Sequence, residues 1–144
     1  AIASVPAMLS KPLWGILIDK HPAKPLAALS ASATGFSLAL IVFAALSEDL
    51  VLVFIGYVFL GLGWGGMLPM QEVIWASFFG RRYIGSIRGA AMPFSLALGA
   101  PIPWLVSYYR DFTGGYHEAF FAVAALNILS GLMIFFVPKP RRSI

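Results

Sequence analysis

The chain has 144 residues and a formal net charge of +4, with 60% hydrophobic and only 11% charged residues. Soluble domains sit nearer ~45–50% apolar and ~25% charged, so too few polar groups are present here to cover a water-facing surface. There is no cysteine, which excludes a disulfide framework and thiolate metal sites.

A helix needs roughly 20 apolar residues to cross the hydrocarbon core. The first apolar stretch, 1–18, opens on Ala1. It lacks the basic leader and small-residue cleavage site of a signal peptide. It predicts a helix already under way, in a chain that continues upstream. Asp19, Lys20 and Lys24 follow it. The second stretch is 26–46, followed by Glu48 and Asp49. The third, 50–79, is long enough to tilt and is followed by Arg81, Arg82 and Arg88. The fourth is 90–109, with Arg110, Asp111 and Glu118 after it. The fifth is 119–137, ahead of Lys139, Arg141 and Arg142. These five spans predict an all-α membrane protein. The basic connections are the first, third and fifth, so alternating spans put eight Lys/Arg on one side and one, Arg110, on the other. The positive-inside rule then predicts a cytoplasmic C-terminus in the plasma or inner membrane. The same clustering accounts for the positive charge without a nucleic-acid partner.

Lipid gives helices little hydrophobic reason to associate, so small residues that let backbones approach carry the packing. The second span has Ala27, Ala31, Gly35 and Ala39 at four-residue spacing; the third has Gly61 and Gly65, and the fourth Ala91, Ser95 and Gly99. These predict helix–helix contacts and are compatible with faces that rock during transport. Pro69, Pro93, Pro101 and Pro103 lie inside or near spans, and each removes a helical hydrogen bond and favours a kink. Gly61, Gly63 and Gly66 match G-x-G-x-x-G. The dinucleotide fingerprint also needs a strand before it and an acidic residue about 20 positions on. Here the glycines sit inside one apolar run and the region near Ser86 is basic, so no nucleotide is predicted.

Lys11 lies eight positions before Asp19, roughly 12 Å deep at ~1.5 Å per residue. An intramembrane charge normally faces a cavity or a partner. Either its ammonium binds an anionic solute in a central cavity, or its long stem snorkels to the cytoplasmic headgroups. Glu72, near the end of the third span, is either a proton-coupling carboxylate or a structural partner for a loop cation. His21 and His117 have no partners at metal-ligand spacing. No Ser/His/Asp set and no paired catalytic carboxylates appear, which argues against an enzyme.

The run Gly15-Ile16-Leu17-Ile18-Asp19-Lys20-His21-Pro22-Ala23-Lys24 resembles the signature loop of the major facilitator superfamily, G-x-L-x-D-R/K-x-G-R-R/K. It matches at Gly15, Leu17, Asp19, Lys20 and Lys24 and departs at Pro22 and Ala23. The stretch from Phe79 to Gly89 resembles that family's loop between the tenth and eleventh spans, and Asp111 to Tyr116 the turn before its last span. Ser10-Lys11-Pro12-Leu13-Trp14-Gly15 resembles the monocarboxylate and oxalate/formate branch, with Lys11 where a basic residue, usually Arg, binds the substrate carboxylate.

The resemblance implies the end of the eighth span and spans nine to twelve, a partial C-terminal six-helix domain over residues 1–144. It implies secondary transport of a small solute, an organic anion such as a monocarboxylate, by proton symport or exchange, without a cofactor. Gly15, Asp19, Lys20 and Lys24 would form a conformational latch with Arg81, Arg82 or Arg88. The expected partners are the lipid bilayer, the solute and the N-terminal half of the same transporter, without which this piece should not transport. A non-transporting scaffold that assembles through its Gly/Ala faces is the alternative.

Overall fold

The computed structural model describes residues 2–138, and the side chains of all of these except Phe78, Phe79 and Arg81. Lys139, Arg141 and Arg142, assigned above to the cytoplasmic side, lie outside the described residues. The described chain is helical throughout: α1 Ser4–Lys20, α2 Ala23–Leu46, α3 Leu50–Phe79, a 3-10 turn at Arg81–Tyr83, α4 Ile84–Gly99, α5 Ile102–Thr113 and α6 His117–Phe136. In lipid no water is available for backbone N–H and C=O groups, so helices satisfy them within each segment.

Each connection has a local cause. His21 leaves α1 in an extended conformation (φ −132°, ψ 156°), because the residue before a proline is pushed out of the helical region, and Pro22 caps α2. Asp49 caps α3, its carboxylate accepting from the backbone N–H groups of Val51 and Leu52 at 3.0 and 3.1 Å, an arrangement worth about 1 kcal/mol. Gly80 ends α3 at φ 81°, ψ 157°, a region open essentially to glycine alone. Gly114 ends α5 in the left-handed conformation and donates its N–H to the Arg110 carbonyl at 2.7 Å, a common helix stop.

Among the described residues four stretches are long and apolar enough to cross a membrane: Ala23–Leu46, Leu50–Ser77, Ile84–Thr113 and His117–Phe136. α1 has 17 residues, short of the ~20 of a full crossing. Two readings of the sequence need correction. The fourth span, expected over 90–109, begins earlier and is two helices. Pro101 and Pro103 have no N–H, so the carbonyls of Ala97 and Gly99 lose their helical donors and α4 gives way to α5 at Ala100–Pro101. The flanking charges are also mostly helical rather than in loops. Asp19 and Lys20 end α1, Lys24 lies in α2, Arg88 in α4, Arg110 and Asp111 in α5, and Glu118 in α6. Where connections are as short as His21–Pro22, charges in terminal turns still reach the headgroups on their own stems.

α2 packs between α3 and α6, and α1 packs on α3. At one end Trp14, Leu26, Ala27 and Met70 join α1, α2 and α3 in a small core. One buried hydroxyl adds a directed bond between helices: Ser30 Oγ of α2 donates to the Gly63 carbonyl of α3 at 2.7 Å. Such bonds within a membrane are worth about 0.6 kcal/mol on average. α4 and α5 bury no residue; α4 meets α3 where it leaves it, and α5 meets the start of α6 across the turn that joins them.

Candidate functional site

α1 presents two unlike faces. Ala7, Ser10 and Trp14 recur at helical spacing and lie against α3. Ser10 and Trp14 are buried, and the Trp14 indole N–H donates to the Leu62 carbonyl at 2.8 Å. That carbonyl is reachable because the residue one turn on is Gly66, whose missing side chain leaves room for the indole. A Cβ there would stand 2.6 Å from the ring. Gly61 and Gly65 receive α1 in the same way, with backbone or side-chain atoms of Ala3, Ala7 and Ser10 in the way of any Cβ, and Gly63 receives Thr34 of α2. The G-x-G-x-x-G spacing is thus a packing surface in the middle of a helix.

On the other face Lys11, Gly15 and Asp19 follow one another at four-residue spacing, which stacks them along one side of the helix. Lys11 and Asp19 are exposed, and nothing lies within 4 Å of the position a Gly15 Cβ would take. Within the described chain no helix covers this line of residues.

The structure pairs one expected latch residue, Arg88, with Glu72, the carboxylate expected either to couple protons or to hold a loop cation. Arg88 Nη1 lies 2.8 Å from Glu72 Oε1, with the two side chains 53% and 40% exposed. The pair ties α4 back to α3 across the Gly80 turn. Arg82 lies 5.8 Å from the ring centre of its neighbour Tyr83. Lys20 ends α1, exposed, and Lys24 lines a groove between α2, α3 and α6. The side chain of Arg81 lies outside the described part.

A half-exposed ion pair is worth about 0.2–1 kcal/mol, so Glu72→Gln should lower stability by less than ~1 kcal/mol. Its larger effect should be on geometry. Spin labels on α3 and α4 should report a broader distance distribution in Glu72→Gln and in Arg88→Gln. The exchanged pair Glu72→Arg with Arg88→Glu should restore a narrow one. A distribution unchanged in the single variants would show that the pair does not hold α4.

Two features had only weak sequence signals. Tyr109 donates its hydroxyl to Glu118 across the α5–α6 turn, and the Arg110 guanidinium lies 5.1 Å from the Tyr116 ring centre. Enrichment of Tyr and Trp at membrane interfaces could have pointed to this end, though not to the pairs. Among the described residues no group of three His, Asp or Glu is placed to hold a metal ion.

The family model for the Major Facilitator Superfamily matches residues 1–144. Neither the curated proteins nor the solved structures contain a match to this chain.

Proposed function

The chain belongs to the major facilitator superfamily, whose model covers it from end to end, and from that premise we propose that it is the C-terminal membrane part of a secondary transporter for a small organic anion. The family is one of transporters, and the chain is a multi-pass membrane protein. The rest of the reading is carried by one observation: Lys11 stands on the open face of α1, in line with Gly15 and Asp19.

A lysine within an apolar helix is costly unless it meets water or an opposite charge. Snorkelling is poorly served at this position. Every Cα–Cβ bond of a helix tilts toward its N-terminus. With Asp19 and Lys20 at the cytoplasmic end, the Lys11 stem sets out toward the membrane middle, away from the cytoplasmic headgroups. The N-terminal half of the transporter would cover this face, its cavity closing around the ammonium and the solute's negative group. The open flank of Gly15 would receive a helix of that half.

Asp19 then acts as one side of a latch that opens as the halves rock about the solute. Arg88 is engaged by Glu72, so the guanidinium that meets Asp19 is better sought at Arg81 or Arg82. Lys20 and Lys24 keep this end at the cytoplasmic headgroups of the plasma or inner membrane. The scaffold alternative rests on the small-residue faces, which a transporter needs as well.

The complete transporter in proteoliposomes tests the reading. Small carboxylates should be taken up saturably under a pH gradient or against internal counter-anion, while neutral analogues of the same size should not. Uptake of the neutral analogues alone would remove the anion, and no flux of either kind would return the scaffold.

A further inference from the structure

Between α2, α3 and α6 runs a groove of about 780 Å³, lined neither by Lys11 nor by the open face of α1; of the residues the transport reading uses, Lys24 alone among the described ones reaches it, at one end. Its two ends differ. One end holds Lys24, Trp75 and Val137; from there it runs past Met70 and Met133 to Ala31, Met67 and Leu126. The lining on α6 extends from Leu126 to Val137, roughly 16 Å at ~1.5 Å per residue. That is about half of the ~30 Å hydrocarbon core, so the groove is one leaflet long. Lys24 stands at the basic, headgroup end, and none of the described lining residues is acidic.

Length, polarity and charge fit one occupant. We propose that this groove is a binding site for an anionic phospholipid of the leaflet at that end, one acyl chain lying along α3 and α6 and the phosphate held by Lys24. The aliphatic and thioether lining takes the chain by shape, Met being adaptable to an irregular alkyl surface. Trp75 sits at the depth where indole rings prefer the interface. The ammonium adds the selectivity for negative headgroups that basic sites between helices show. The volume lies within the ~300–1,000 Å³ of small-molecule sites.

The test uses the complete transporter purified in detergent, with native mass spectrometry after addition of phosphatidylglycerol or phosphatidylcholine of identical acyl chains. Phosphatidylglycerol should be retained at about 3- to 10-fold lower concentration, the effect of one nearby cation. Lys24→Gln should remove that preference and leave phosphatidylcholine binding unchanged. Lys20→Gln, on an exposed neighbour that does not line the groove, should keep it. Leu129→Trp fills the groove from a half-exposed position (53%) and should weaken both lipids, with Met133→Trp as the second variant if the first fails to fold. Equal retention of the two lipids would overturn the site. So would a preference that survives Lys24→Gln or falls equally with Lys20→Gln, or binding untouched by either tryptophan.

Discussion

Replacing Lys11 by methionine in the complete transporter is expected to weaken saturable anion uptake by about one to two orders of magnitude in KM while leaving the protein folded and as helical as before. Methionine keeps the length of the stem and removes the charge. A hydrogen bond to a charged group is worth about 1.5–3 kcal/mol, so the apparent affinity for the anion should fall about 10- to 150-fold. Because Lys11 is exposed on its helix and belongs to no ion pair among the described residues, little of this loss should come from disturbed packing. If the lysine served only to snorkel, methionine would be at home in lipid, and transport would continue with unchanged KM.

Lys11→Arg separates charge from shape at the same position. The guanidinium keeps the charge but presents a planar fork on a longer stem. Partial uptake with an altered preference among carboxylates is expected, since the fork favours a two-point contact with a planar carboxylate. Equal loss in the arginine and methionine variants would mean that the compact ammonium, rather than positive charge, is what the solute meets.

What the sequence disclosed follows from what lipid demands. Apolar length marks helices because every backbone group in the membrane must be paired within its segment. α3 appears as read, from Leu50 to Phe79, because an Asp cap and a glycine of positive φ stand at its ends. The fourth span was misjudged for two physical reasons. Pro101 and Pro103 were read as sites of a kink, yet standing two residues apart they withdraw two helical hydrogen bonds and end α4 altogether. Arg88 was placed with a connection because an unpaired charge is costly in a span, yet Glu72 of another helix neutralises it. Glu72 was read as a possible partner for a cation of this connection, but it lies 16 residues from Arg88 and on no common helix face, so no local spacing rule could choose that arginine. At the candidate site the residues Lys11, Gly15 and Asp19 were legible one by one. That they form a single open line, while Ser10 and Trp14 beside them are buried, depends on where α3 sits, which the sequence of α1 does not encode alone.

The glycines divide on the same principle, and the division makes the second large prediction. A Cβ at Gly35 would stand 2.7 Å from the Ala124 carbonyl oxygen and 3.0 Å from the Ile128 nitrogen. Both are backbone atoms and cannot rotate aside, so Gly35→Ala must push α6 away from α2. Overpacking of this kind costs about 1–3 kcal/mol, occasionally more, and Gly35→Leu should exceed it and separate the helices. Gly85 and Gly89 of α4 have nothing within 4 Å of that position. There alanine brings only its better helix propensity, and stability of this chain should rise by about 0.5–1 kcal/mol. Unfolding in mixed micelles, followed by circular dichroism, should therefore show opposite signs for Gly35→Ala and Gly85→Ala; a loss at Gly85 as large as at Gly35 would refute the division. Gly15 belongs by geometry with the open group. Gly15→Leu should leave this chain at least as stable as before and yet impair the complete transporter, because its flank is crowded only once the other half is in place.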